Sequence, residues 1–266
     1  MSSPSVRWSV DGRGVATVTL ERPERNNAYD GAMIEGLLAA LDALGTAARL
    51  RVVVLRGAGR HFQAGVDLDW SARVAEADEA ENLRWSRLTA AAVHRWNLLP
   101  VPTLALVQGA CVGGGTGFVA ACDVVVAAED AFFSIAETRW GFVASIIVPQ
   151  LADAVGVRQL RRYALSGERF DAREACRLGL VHEVVPAPEL DAAGTRVVDA
   201  LLRCAPEATA QTKALLLAHG AGDLGPAALE RLVVQHAARR RSAEAREGRA
   251  SFQERRPAAW YPGSPA

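Results

Sequence analysis

Three consecutive glycines, Gly113-Gly114-Gly115, follow the apolar run Thr103–Val107 and precede the apolar stretch Phe118–Ala121. Without Cβ atoms, such a turn lets the backbone take unusual dihedral angles and come close to a ligand. At a helix N-terminus its unpaired N–H groups attract negative charge. Three uses fit: a phosphate cradle, an oxyanion hole for a carbonyl oxygen, or tight helix–strand packing. Neither the Lys-Ser/Thr of a P-loop nor GxGxxG spacing accompanies the triplet. A second small-residue turn, His61-Phe62-Gln63-Ala64-Gly65-Val66-Asp67-Leu68, also follows an apolar run, Arg51–Leu55. Two such turns can each aim one N–H donor at the same thioester oxygen and stabilise an enolate, and losing one oxyanion donor typically costs about 10²–10³ in rate.

The elements that must position these turns are legible as periodicity. Val15–Leu20 alternates as a strand, Arg22–Asn27 reads as a loop, and Asp30 or Gly31 begins a helix with Ile34, Leu37, Leu38, Leu41 and Leu44 on one face. Arg51–Leu55 is a buried strand ended by Gly57-Ala58-Gly59, and one long helical region runs from about Ser71 to Trp96. Pro100 and Pro102 separate it from the strand Thr103–Val107; the glycine turn, a short helix Phe118–Ala121 and a strand Val124–Val126 follow. Strand, helix and strand in repeated order predict parallel pairing and an α/β core. Helices are expected at 158–165, 171–178, 190–204, 206–218 and 226–252, with a short strand at 181–185.

Composition narrows the function classes. Half of the 266 residues are hydrophobic, enough for one domain with a substantial core and a smaller appendage. Thirty basic residues balance thirty acidic ones, so no global field favours nucleic acid or an anionic membrane. Lys213 is the only lysine, which reads as compositional bias. Met1–Ser5 lacks a basic-then-apolar leader and no apolar run reaches membrane-spanning length. Cys111, Cys122, Cys176 and Cys204 show no metal or CxxC spacing, and three of them sit in apolar context and read as small buried hydrophobes. A cytoplasmic location is expected.

Further landmarks run along nearly the whole chain: Glu21-Arg22-Pro23 with Asn27-Ala28, Phe62–Leu68, Val107–Gly115, Ala121-Cys122-Asp123, Phe133–Gly141, Leu165–Ala172, Gly179-Leu180-Val181 and Glu247–Pro257. Their order and spacing resemble the enoyl-CoA hydratase/isomerase (crotonase) superfamily. The resemblance implies an α/β spiral of ββα units over residues 1–200 and a C-terminal helical trimerisation region over 201–266. It implies a homotrimer or a dimer of trimers. The oxyanion N–H groups fall on Val66 and Gly114, and the acid/base position on Glu137. Coenzyme A contacts fall on Arg25, Ala64, Val66, Asp67, Leu68, Gly114, Phe252 and Arg255. The partner is an acyl-CoA or a carrier-protein-bound acyl group. Coenzyme A is part of that substrate, so no separate cofactor and no metal is expected. For the arginine-rich stretch Arg239-Arg240-Arg241 a solvated helix face competes with a phosphate contact.

The chain departs from the two-glutamate pattern of typical hydratases in this family. The first of those positions is Gly117, and only the second, Glu137, carries an acid. A lone glutamate in an apolar stretch should have its pKa raised by desolvation, which suits acid/base work; the competing reading is an ion pair with Arg139 or another arginine. Asp67 and Asp69 read as loop-capping residues, His61 as structural, and Trp140 either walls the acyl pocket or packs in the core. The run Ile146-Ile147-Val148-Pro149 resembles the branch acting on branched glutaconyl-type thioesters such as 3-methylglutaconyl-CoA and isohexenylglutaconyl-CoA, although Ala144 replaces the proline usual there. It also resembles dehydratases of polyketide β-branching. The leading expectation is reversible hydration of an α,β-unsaturated acyl thioester. The alternatives are double-bond isomerisation, glutaconyl decarboxylation, and a catalytically silent acyl-CoA-binding protein of this fold.

Overall fold

A computed structural model of the chain describes residues 4–219 and 242–263, apart from the side chains at 219, 249, 252 and 253. The central sheet has the order β1-β2-β3-β4-β6-β9. Its strands are β1 (Val6–Val10), β2 (Val15–Leu20), β3 (Val52–Gly57), β4 (Thr103–Val107), β6 (Val124–Ala128) and β9 (Glu183–Val185). Within this sheet only β1 and β2 pair antiparallel and the other pairings are parallel, as the strand–helix alternation predicts. A second sheet, β5-β7-β8, is built from Ala110–Val112, Phe132–Ser134 and Phe170–Asp171.

The two sheets share consecutive strands, which produces the ββα repeat. β4 and β5 are followed by α4 (Gly114–Ala120), and β6 and β7 by α5 (Val148–Ser166). In each unit the first strand joins the large sheet and the second joins the small one. Side-chain alternation then buries both faces of the large sheet, as parallel sheets require. Val53, Leu55, Ala105, Val107, Val125 and Ala127 face one core, together with α1 (Gly31–Gly45), α3 (Glu79–Asn97), α4 and α5. Val52, Val54, Leu104, Leu106, Val126 and Ala128 face the other, covered by α7 (Leu190–Leu202). The other helices among the described residues are α2 (Leu68–Glu76), α6 (Ala172–Leu178), α8 (Pro206–His219) and α9 (Ala243–Glu254). Among the described residues, no helix is long and apolar enough to cross a membrane, and no three His, Cys, Asp or Glu side chains gather as a metal site.

Several boundaries differ from the sequence expectation. The single helix expected over 71–96 is two helices, because Ala77 is extended (φ −71°, ψ 171°) and Asp78 caps α3 by accepting from the Glu81 N–H. The helix expected at Phe118 begins at Gly114, since only the first glycine of the triplet takes a positive φ. The helix expected at 158–165 starts at Val148, with a kink at Gly156 (φ 73°, ψ 147°). Most of the helix expected at 226–252, and Arg239-Arg240-Arg241, lie outside the described residues. β1, β5, β7 and β8 went unread; all but β1 are three residues or fewer, too short to show a period.

Candidate active site

The two small-residue turns meet edge to edge. β3 delivers the first turn and β4–β5 the second, and Gln63 bridges to Cys111 as an isolated parallel pair. Gln63 N–H donates to Ala110 O (3.0 Å), and Val112 N–H donates back to Gln63 O (2.9 Å). A parallel bridge between Tyr29 and Val66 fixes the other side of the first turn. Tyr29 N–H donates to Gly65 O and Asp67 N–H to Tyr29 O, both at 2.8 Å. Val66 N–H, between these bonds, has no acceptor among the described residues.

Gly113 turns the chain from β5 into α4 with φ 53° and ψ −123°, a conformation that a side chain would strain. Its N–H donates to Ser134 O (2.8 Å), and its carbonyl accepts from the backbone N–H and the hydroxyl of Thr116 (2.8 and 2.7 Å). Gly114 is the first helical residue, and its N–H also has no acceptor among the described residues. The turns are close: a Cβ on Gly113 would stand 3.7 Å from Gly65 Cα and 3.1 Å from Glu137 Oε1.

Glu137 opens a 3-10 turn, Glu137–Trp140, which Gly141 closes in the left-handed region. Its Oε2 is buried and makes no hydrogen bond among the described residues. Burial pushes its carboxyl pKa above the ordinary 4.5, against a smaller lowering from its own backbone N–H. No ion pair links it to Arg139, whose stem instead lies over Gly167. Val66, Gly114 and Glu137 all line one cavity of about 1010 Å³. Ile34, Leu37, Ala92, Val93, Phe118 and Ile147 form its buried apolar wall.

Among the other residues singled out by sequence, Ala64 and Leu68 line this cavity. Asp67 does not: it is buried and caps α2 by accepting from the Asp69 and Trp70 N–H groups, while its other oxygen meets Arg22 at 3.2 Å. Burial raises the Asp67 carboxyl, but the Trp70 N–H and Arg22 outweigh it and hold the pKa below the ordinary value. Arg25 is half-exposed outside the lining and pairs with Asp69 at 3.0 Å. Arg255 sits in the left-handed region (φ 53°) at the end of α9, also outside the lining. The Phe252 side chain lies outside the described residues. His61 lines the cavity, yet its Nδ1 accepts from the Ala110 N–H (2.9 Å), and burial with Arg60 lowers its pKa. Trp140 is 65 % exposed at the cavity rim and does not pack in the core.

Two contacts at the site went unread in sequence. Ile147 occupies the space beside Gly117: a Cβ on that glycine would overlap Ile147 Cγ2 and stand 2.7 Å from its Cβ. Tyr29 lines the cavity with its ring against Gly114. Its only sequence signal is its place between the Asn27-Ala28 landmark and the Asp30 helix cap.

The family model for enoyl-CoA hydratase/isomerase matches residues 11–262. A Thermus thermophilus protein, named provisionally as an enoyl-CoA hydratase, is 39% identical over 204 residues, covering 77% of this chain and 81% of that one. The mitochondrial Δ(3,5)-Δ(2,4)-dienoyl-CoA isomerase of Dictyostelium discoideum is 30% identical over 256 residues, 92% of this chain and 87% of that one. Among solved structures, Pseudomonas aeruginosa AtuE superposes with a TM-score of 0.91 at 38% identity, covering 97% of this chain and 99% of that one.

Proposed function

The chain belongs to the enoyl-CoA hydratase/isomerase family, and on that premise we propose that it reversibly hydrates an α,β-unsaturated acyl-CoA. One observation carries the reading. Two backbone N–H groups without acceptors among the described residues, at Val66 and Gly114, share a cavity with a buried carboxylate, Glu137, whose Oε2 has no partner among them either. Buried polar groups are ordinarily paired, so three orphans facing one space suit a polar ligand group there. The two N–H groups hold the thioester oxygen as negative charge builds on it. Glu137 takes a proton from water as the water oxygen adds to the β-carbon, and delivers it to the α-carbon as the enolate collapses. Ala64 and Leu68 flank the path for the coenzyme A arm, and Arg25, Phe252 and Arg255 are assigned to its polar end.

The finer assignment is a branched, glutaconyl-type acyl group. It rests on the Ile146–Pro149 segment and on two cations at the cavity, Arg139 and Arg169, neither of which forms an ion pair among the described residues. A substrate with a second carboxylate matches them. The assembly belongs to the same reading: a homotrimer or a dimer of trimers through residues 201–266, in the cytoplasm. Light scattering should return a multiple of three of the 28.3 kDa chain mass.

A second reading is double-bond isomerisation, favoured by the single carboxylate, since an enolate hole and one base suffice to move a double bond. Mass spectrometry of 3-methylglutaconyl-CoA and crotonyl-CoA incubations separates the outcomes. Hydration adds the mass of one water; unchanged mass with a shifted double bond supports isomerisation; loss of carbon dioxide supports decarboxylation. Acyl-CoA binding with no product supports a silent binding protein.

A further inference from the structure

Tyr29 stands where the two oxyanion turns meet. Its backbone bonds to Gly65 and Asp67 hold it beside Val66, and its ring edge packs on Gly114, where an added Cβ would meet Cε1 at 2.7 Å. Trp70 closes over the ring edge-on, with centroids 6.2 Å apart. The side chain lines the catalytic cavity, and its hydroxyl makes no hydrogen bond among the described residues. Glu137 lies against the adjacent glycine, Gly113. Among the described residues, the Tyr29 hydroxyl and Glu137 Oε2 make no hydrogen bond, and the two side chains are set against consecutive residues of one turn.

The position that carries a second acid in two-glutamate hydratases is closed. Gly117 has no side chain, and Ile147 fills the space where one would begin. A water held by Glu137 alone would keep one bond to fix it, and addition to a β-carbon needs both position and direction.

We propose that the Tyr29 hydroxyl is the second hydrogen-bonding partner of the reacting water, in place of the carboxylate that Gly117 and Ile147 exclude. The proposal rests on the hydration reading. In hydration, Tyr29 O–H donates to one lone pair of the water while the other lone pair forms the bond to the β-carbon. One water proton passes to Glu137, and the C=C electron pair moves into the thioester as the enolate. Glu137 then returns that proton to the α-carbon, so one water is added in total. In the reverse direction Tyr29 donates to the departing hydroxyl, and Glu137 supplies its proton. The phenol stays protonated throughout: burial, with the Glu137 charge nearby, pushes its pKa up to about 12. It is a fixed donor and does not carry the proton.

Tyr29→Phe keeps the ring and removes the donor. Two activities of the same protein separate its roles: hydration of crotonyl-CoA or 3-methylglutaconyl-CoA, and α-proton exchange of butyryl-CoA in D₂O. Exchange needs the oxyanion donors and Glu137 but no added water. The expected result is a fall in hydration kcat of about 10–100-fold, with KM within about twofold and exchange nearly unchanged. Unchanged hydration overturns the proposal. So does a parallel fall in both activities, which would make Tyr29 a support for the oxyanion turns only. A wild-type protein that exchanges deuterium yet hydrates neither thioester refutes the hydration reading itself, and the proposal falls with it.

Discussion

Glu137 combines two properties that ordinarily conflict. It is buried enough to lose solvation, yet its Oε2 has no partner among the described residues to offset that loss. The sign of the consequence is fixed. A carboxyl whose folded pKa lies above its ordinary 4.5 stabilises the fold most below that value, and the contribution is lost as pH rises through the raised pKa. Glu137→Gln should therefore melt above the wild type at neutral pH, with the difference vanishing below about pH 4.5, as differential scanning fluorimetry across pH would show. Hydration needs the carboxylate form, so the acid limb of the kcat profile should lie above that of an ordinary glutamate. Glu137, Val66 and Gly114 were named in sequence through the family resemblance, and all three line one cavity. Tyr29 was not: an aromatic side chain one residue before a helix cap carries no local sign of facing a glycine 85 positions later.

At the scale of elements, the contact between α4 and the start of α5 decides how many carboxylates the site can hold. Ile147 precedes α5 and packs on Gly117 within α4. Gly117→Ala should cost about 1–3 kcal/mol by overpacking, read as a fall in the denaturant midpoint. Ile147→Ala should recover part of that loss in the double variant, because residues in direct contact couple. Gly117→Glu alone should not add a working acid. The absence of a glutamate at Gly117 was plain in sequence, but its physical reason was not. The filling residue lies 30 positions away, just before another helix, and the Ile146–Pro149 run, read in sequence only as a mark of the glutaconyl-type branch, carries no sign of packing on Gly117. The long helix expected over 71–96 failed for a related reason: the Asp78 cap interrupts a pattern that periodicity alone runs straight through.

For the whole molecule, Lys213 is one of the side chains that join the core to its helical extension, alongside Arg51, which donates to Leu202 O, Cys204 O and Trp260 O. This lysine on α8 is almost fully buried, and its ammonium donates to Asp123 Oδ2 (2.7 Å) and Val101 O (3.1 Å). The same carboxylate oxygen accepts from the Thr103 N–H and hydroxyl at the start of β4. Sequence offered Lys213 only as an oddity of composition; the fold makes it a tie between α8 and the sheet. Lys213→Ala should lower stability by about 1.5–3 kcal/mol, the range for hydrogen bonds to charged groups, and leave KM unchanged. The α/β core and its parallel order were legible because both sheet faces are buried, which writes β3, β4 and β6 as continuous apolar runs. The small second sheet was not, since its strands span two or three residues each.

In the proposed reaction the N–H donors at Val66 and Gly114 hold the thioester while Glu137 alone moves the proton. Its most direct test is Glu137→Gln, assayed for hydration while acyl-CoA affinity is followed by calorimetry. Affinity should be retained and kcat should fall by about 10²–10⁴-fold. Turnover at the wild-type rate with the thioester bound would contradict it.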